Sequence, residues 1–187
     1  MSFPGIPSLD ATVMAFIQTH FHNTVTDTVF PIITSLGEAG IGWIVLSLVL
    51  LCFKKTRRTG GLVLIAMTVT LLFGELTLKN IICRLRPCNV FTNFPMLIAR
   101  PTSYSFPSGH TSSSFAAALI LTLRHKKVGW LAYIPAVLIA FSRIFLFVHY
   151  PTDVLAGILL GTIAALLTYF AAKAIQKRQA EKCTAQI

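Results

Sequence analysis

The feature that most restricts this chain is a succession of apolar runs, each near the ~20 residues that a helix needs to cross the hydrocarbon of a bilayer. Four lie at about 60–80, 108–123, 128–148 and 152–172, and a fifth, over 25–53, is interrupted by Gly37-Glu38-Ala39-Gly40. In hydrocarbon every backbone N–H and C=O must be bonded internally, so such runs have to be helices. Composition points the same way. Of 187 residues 55% are hydrophobic and only 12% charged, with a mean hydropathy of +0.73, values foreign to soluble domains. The expected fold is an all-α integral membrane bundle of about five transmembrane helices, a single domain over residues 1–187 without repeats or a hydrophilic module.

Ahead of the first span, Leu9, Val13, Phe16, Ile17 and Phe21 recur at helical spacing behind Ser8, which can serve as N-cap. Polar residues lie between them, so segment 8–23 is expected to be an amphipathic helix lying on the membrane surface. The first 25 residues lack the positively charged start of a cleaved signal peptide.

The formal net charge of +10 would in a soluble protein raise the question of nucleic acid, but the placement of the 16 Lys and Arg answers it. Clusters at Lys54-Lys55-Thr56-Arg57-Arg58, at Arg124-His125-Lys126-Lys127, and at Lys173, Lys177, Arg178 and Lys182 each border an apolar run. This is the positive-inside pattern of a multi-pass protein of the cell membrane. It puts the C-terminus in the cytoplasm, and segment 81–107 and the turn 149–151 on the extracellular or periplasmic side. The partner is then the bilayer and its lipids, with no nucleic acid. Five cations, Lys79, Arg84, Arg86, Arg100 and Arg143, fall on or near the outer side against that rule and need another explanation. The four cysteines show neither CxxC spacing nor a Cys/His ligand set, so no zinc site is indicated. Cys52 and Cys183 read as incidental, and spacing alone does not decide whether Cys83 and Cys88 form a bridge.

Three groups of residues converge on the outer ends of the spans, where hydrocarbon penalises charge strongly enough to make function the default explanation. The first is Lys79-Asn-Ile-Ile-Cys-Arg-Leu-Arg86-Pro87. The second, Ser105-Phe106-Pro107-Ser108-Gly109-His110, stands directly before an apolar helix. Ser108 and Gly109 would there offer backbone N–H groups at a helix N-terminus, where the dipole favours a phosphate, and glycine permits close approach. The third is Ser142-Arg143, five residues, His149, three residues, Asp153. Pro151 suits the first turn of the next helix. Asp153 in that turn can accept a hydrogen bond from one His149 nitrogen, leaving the other free to attack.

Taken singly, each group has a plain alternative: a snorkelling lysine, an ordinary Ser-Gly cap, an acidic residue suited to a helix N-terminus. Together they supply three cations, a helix-terminus anion site and two histidines, one of them backed by a carboxylate. That set fits phosphoryl transfer with no metal and no cofactor. Lys79, Arg86, Arg143, Ser108 and Gly109 would hold the equatorial oxygens, His149 would attack phosphorus, and His110 would protonate the leaving oxygen and later activate water.

These residues resemble the type 2 phosphatidic acid phosphatases, or lipid phosphate phosphatases, which share a core with acid phosphatases of the vanadium haloperoxidase type. The resemblance covers all three signatures in order: Lys, six residues, Arg-Pro at 79–87; Pro-Ser-Gly-His at 107–110; Ser-Arg, five residues, His, three residues, Asp at 142–153. It implies a helical bundle with an outward-facing site and the roles just given for the eight residues. Many members of that family have six spans, and here a surface helix stands where the first would be. The expected activity is hydrolysis of a lipid phosphomonoester or diphosphate through a phosphohistidine. Undecaprenyl diphosphate is favoured, and phosphatidate or phosphatidylglycerophosphate is the alternative. A haloperoxidase would need vanadate in the same pocket, and the membrane spans count against it. A non-catalytic lipid-binding or scrambling protein would have no need of His110, His149 and Asp153.

Glu75, one helical turn before Lys79, reads as its counter-ion. His20 and His22 read as interfacial. Phe91, Phe94, Tyr104 and Phe106 read as loop packing, with a share in lining the lipid tail.

Overall fold

The computed structural model describes residues 3–184, and among these there is no strand. The helices are α1 (Ser8–His20), α2 (Thr24–Leu36), α3 (Ile41–Cys52), α4 (Arg57–Thr70), α5 (Lys79–Ile82), α6 (Pro87–Val90), α7 (Gly109–Arg124), α8 (Tyr133–Phe145) and α9 (Pro151–Thr184). A π-helical stretch, Leu71–Leu78, joins α4 to α5.

Helix α7 is the axis of the bundle, with α9, α4 and α8 packed around it. Its small residues allow this. Ser112, Ser114, Ala116, Ala117 and Ala118 are all buried, and they meet a complementary pair on α9. A Cβ on Gly157 would come within 2.7 Å of the Ser108 carbonyl oxygen, and one on Gly161 would lie 3.0 Å from the Ala116 nitrogen and strike the Ser112 carbonyl. Two glycines one turn apart thus bring the backbones together, as small residues do between membrane helices. Trp43 Nε1 donates to Ser114 Oγ at 2.8 Å, tying α3 to the same axis.

Glycine-to-alanine substitution should therefore change sign with position. Gly61→Ala on α4, where a Cβ meets nothing, gains helix propensity and stabilises by up to about 1 kcal/mol. Gly161→Ala wedges α9 away from α7 and destabilises by about 1–3 kcal/mol. Thermal unfolding in detergent checks both, with the melting point rising for the first and falling for the second.

By length and apolarity, the helical stretches Arg57–Val90 and Pro151–Cys183 qualify as spans. Thr24–Leu36 with Glu38–Cys52 makes a third if the 45° bend between them is counted within one span. The bend falls where Gly37-Glu38-Ala39-Gly40 was read as an interruption; Ala39 and Gly40 have φ of 48° and 70° there. The other two expected spans are shorter helices. α7 has 16 residues and the apolar stretch through α8 runs Gly129–Phe145. α7 starts at the polar site residues and is enclosed by its neighbours, so it needs less apolar length than a lipid-facing helix. Exposed Val25, Val29 and Ile32 on α2, and Leu155, Leu159 and Leu167 on α9, form an apolar surface suited to lipid.

A helix, α1, covers Ser8–His20 of the segment 8–23, and Pro7, not Ser8, occupies its N-cap position with no side chain capping it. Its buried stripe is Asp10, Met14, Ile17 and Gln18, whereas Leu9 and Phe16 are exposed. The stripe contains two polar residues because both find partners. Gln18 Nε2 donates to the Phe145 carbonyl at 3.0 Å, and Asp10 accepts from Arg84 and from Thr152 at the start of α9.

Candidate active site

The turn between α8 and α9 explains the spacing of its residues. The amides of Val148 and His149 both donate to the Arg143 carbonyl, at 3.2 and 3.1 Å, closing α8 through a left-handed Phe147 with φ of 59°. A bulky residue held there stores about 1–3 kcal/mol of strain. Phe147 is kept in place by stacking on Phe94 at 3.9 Å and by Phe3 and Phe91. Five residues between Arg143 and His149 are thus the length of a helix end folded back on its last turn. Pro151 then opens α9 and puts Asp153 in its first turn.

His149 is buried, and burial first, then the Arg86 and Arg143 guanidiniums and the Lys79 ammonium, push its pKa well below the ordinary 6.5. The imidazole is neutral at pH 7. Arg86 Nη1 lies 2.8 Å from His149 Nε2, and because a guanidinium only donates, Nε2 carries the lone pair and Nδ1 the proton. Nε2 is therefore the ring nitrogen with the chemistry of a nucleophile. The backing carboxylate is arranged less directly than the sequence implied. Asp153 Oδ2 is 3.4 Å from His149 Nδ1, while the Ser105 hydroxyl donates closely to that same oxygen and stands 3.4 Å from Nδ1. Ser105 thus shares the carboxylate with the imidazole, a role its place before Pro107 did not reveal.

Arg86 is fixed by the loop after α5. Its Nε donates to the Ser103 carbonyl at 2.8 Å, Nη2 to Ser103 Oγ at 3.0 Å, and Nη1 also to the Val148 carbonyl at 2.9 Å. Lys79 is buried and pairs with Glu75 at 2.8 Å, the counter-ion arrangement expected. The π-helical stretch that contains Glu75 is a distortion often found at functional sites. It lays the carboxylate against the start of α7, where a Cβ on Gly109 would run into it. Arg143 is buried, donates closely to Thr34 Oγ1 from α2, and has no partner at Nε among the described residues. His110, in the first turn of α7, lies within electrostatic range of Arg143, His149, Arg86 and Lys79.

One expectation needs correction. Ser108 is the N-cap of α7, but its amide donates to the Asp153 carbonyl at 3.1 Å, because the close packing of α9 on α7 brings that carbonyl to it. The amides left for an anion are those of Gly109 and His110, for which no partner is found among the described residues. Ser108 Oγ accepts from Thr111 at 2.9 Å.

The two outer cations without an assigned role also find one. Arg100 donates to the carbonyls of Cys88, Thr92 and Phe94 and so shapes the loop. Arg84 donates to Asp153 Oδ1 at 2.7 Å. His20 bonds the Phe16 carbonyl and His22 stacks on Phe145, both away from this cluster. Cys83 and Cys88 are free thiols. Among the described residues, no three His, Cys, Asp or Glu side chains gather as metal ligands.

The sequence pattern of the PAP2 superfamily matches residues 59–177, a stretch that contains all of this machinery. The chain belongs to that superfamily. Among its PAP2 relatives are an undecaprenyl-diphosphatase of Sulfolobus acidocaldarius, 39% identical over 67% of this chain and 61% of that protein's length, and the undecaprenyl-diphosphatase BcrC of Bacillus subtilis, 31% identical over 79% and 76%. The crystal structure of a PAP2-type phosphatidylglycerolphosphate phosphatase of Bacillus subtilis superposes with a TM-score of 0.73 at 28% identity, covering 92% of this chain and 89% of that one. A bacterial vanadium-dependent iodoperoxidase shares the fold at a TM-score of 0.68 and 15% identity, over 90% of this chain and 51% of its own. The expected PAP2 membership and haloperoxidase-like core are thus both found.

Proposed function

We propose that this PAP2 chain is a membrane lipid phosphatase that hydrolyses a lipid phosphomonoester or diphosphate, undecaprenyl diphosphate before others, through a phosphohistidine. The observation that carries the reading is the gathering of Lys79, Arg86, Arg143 and His110 within electrostatic range of His149, whose neutral ring and unprotonated Nε2, held by Arg86, suit attack on phosphorus. Preference for the undecaprenyl diphosphate is supported by the relatives that carry that activity in their names. The structural neighbour active on phosphatidylglycerolphosphate keeps that lipid as the second reading.

In the first step His149 Nε2 attacks phosphorus, the bond to the leaving oxygen breaks, and His110 gives that oxygen its proton. Lys79, Arg86, Arg143 and the amides of Gly109 and His110 stabilise charge on the equatorial oxygens. Asp153, with Ser105, steadies the positive charge that develops on the ring. His110 then takes a proton from water, whose oxygen attacks the phosphohistidine and releases inorganic phosphate and neutral His149. The protein cations do the electrostatic work, and the residues suggest no resident metal or cofactor.

The same reading makes residues 1–187 one domain of five spans, with the bent α2–α3 pair as the first, α7 and α8 as short spans, and α1 on the membrane surface. The basic clusters at 54–58, 124–127 and 173–182 place the C-terminus in the cytoplasm and the site on the outer side.

Detergent-purified protein should release phosphate from at least one member of a panel of undecaprenyl diphosphate, phosphatidate and phosphatidylglycerophosphate, equally with and without chelator. Vanadate should inhibit, since its five-coordinate form mimics the transferring phosphoryl group. Release from none of the three would overturn the reading, and strict dependence on added magnesium would overturn its mechanism.

A further inference from the structure

Asp10 is buried inside the protein although it belongs to α1, the helix read as lying on the surface. Its Oδ1 accepts from the Thr152 amide at 2.9 Å, and its Oδ2 accepts from Thr152 Oγ1 at 2.8 Å and from Arg84 Nη2 at 2.7 Å. The other arm of Arg84 donates to Asp153 Oδ1 and to Thr152 Oγ1, both at 2.7 Å, and the guanidinium lies 3.8 Å over the Tyr150 ring. Asp153 Oδ2 meanwhile receives the Tyr150 amide at 2.9 Å and the Ser105 hydroxyl, and faces His149. One guanidinium therefore spans two buried carboxylates, and only one of them belongs to the catalytic group.

The charges explain why two are needed. Arg84 paired with Asp153 alone would fix that carboxylate but cancel much of its field at His149, where positive charge develops when phosphorus is bound. The effect is large because the site is shielded from water. Adding Asp10 returns the group to a net charge of −1 while Arg84 still holds Asp153 Oδ1 in place. The Asp10 carboxylate also binds the backbone of Thr152, next to Asp153, and so fixes the start of α9.

We propose that Asp10 and Arg84 are positioning residues that set both the place and the effective charge of Asp153, which makes α1 a working part of the phosphatase site. This rests on the reading of His149 as nucleophile.

The test is steady-state turnover on the best substrate of the lipid panel, with rates referred to the monodisperse, folded protein. Asp10→Asn keeps the shape and the acceptor for the Thr152 amide but removes the charge. It should lower kcat by about 10–100-fold, as loss of an outer partner of a catalytic group commonly does. KM should stay within about threefold, because Lys79, Arg86 and Arg143 are untouched. Arg84→Met leaves two unbalanced buried carboxylates and should lower kcat further. The double variant Asp10→Asn/Arg84→Met restores the single negative charge, so its kcat should recover by about fivefold or more over Arg84→Met alone. A merely structural staple predicts the opposite, the double variant being no better than the worse single one. That result overturns the inference, as does an Asp10→Asn enzyme whose kcat stays within about twofold of wild type; both leave the phosphatase reading standing. A wild-type protein inactive on every lipid phosphate overturns the phosphatase reading and this inference with it.

Discussion

His149→Ala should abolish turnover on every substrate, however good its leaving group, with a loss on the order of 10⁴-fold or more, as expected when a covalent nucleophile is removed. His110→Ala should behave differently. General-acid help is worth about 10²–10⁴-fold when the leaving oxygen is a poor one. Phosphatidate departs as an alkoxide and should show the full loss. A diphosphate departs as a phosphate monoester and an aryl phosphate as a stabilised phenoxide, so phosphohistidine formation from either should tolerate His110→Ala better. The measurement is a single-turnover rate of phosphoenzyme formation on both kinds of substrate. If His110→Ala is equally impaired on all of them, or if His149→Ala still becomes phosphorylated, the two roles are misassigned. The structure sharpens the expectation because Arg86 Nη1 donates to Nε2, which leaves the proton on Nδ1 and the lone pair on Nε2, and a neutral ring needs no deprotonation before attack.

Motif spacing made the candidate cluster legible, and burial made the rest hard to read. Lys79, Arg86, His110, Arg143 and His149 each sit where a charge or an imidazole at a span end demanded a reason, and they converge. Ser105 lies inside the Ser105–His110 motif, but nothing about a serine two residues before a proline foretells that it shares a carboxylate with His149. Asp10, Arg84 and Thr34 were harder still. Their partners are 142, 74 and 109 residues away, and no periodicity reports such pairs. Asp10 misleads actively, since an aspartate on an amphipathic helix counts as polar face until its partners are known. For the same reason, hydrophobicity selected Leu9 and Phe16 on α1, whereas the buried stripe is Asp10, Met14, Ile17 and Gln18. The bend at Gly37–Gly40 was visible because two glycines around Glu38 break an apolar run. The length of α7 was not, because an interior helix of small residues need not be as long as one that faces lipid.

Arg143 offers the clearest separation of function from stability. It is a buried guanidinium whose Nε has no partner among the described residues and whose Nη1 donates to the Thr34 hydroxyl; Glu38 lies within electrostatic range, but so do the cations Arg86 and Lys79. Such a group is costly without a counter-ion, and under the proposed function a bound phosphate would supply one. Arg143→Met, similar in length and apolar, should lower kcat/KM by about 10²–10³-fold, the usual loss for one preorganised donor to a transition-state oxyanion. The same substitution should leave the melting temperature of the ligand-free protein unchanged or raise it, because replacing an unbalanced buried charge by a packed apolar side chain is neutral to stabilising. Arg143→Lys should not restore activity, since an ammonium lacks the planar fork. Vanadate supplies the third reading. Any ligand that binds only the folded state raises its melting temperature in proportion to its affinity, so the rise that vanadate produces in the wild type should shrink or vanish in Arg143→Met. A variant that melts well below the wild type without vanadate, yet still gains the full stabilisation when it is added, would mark Arg143 as a structural bond to Thr34 and remove it from the phosphate site.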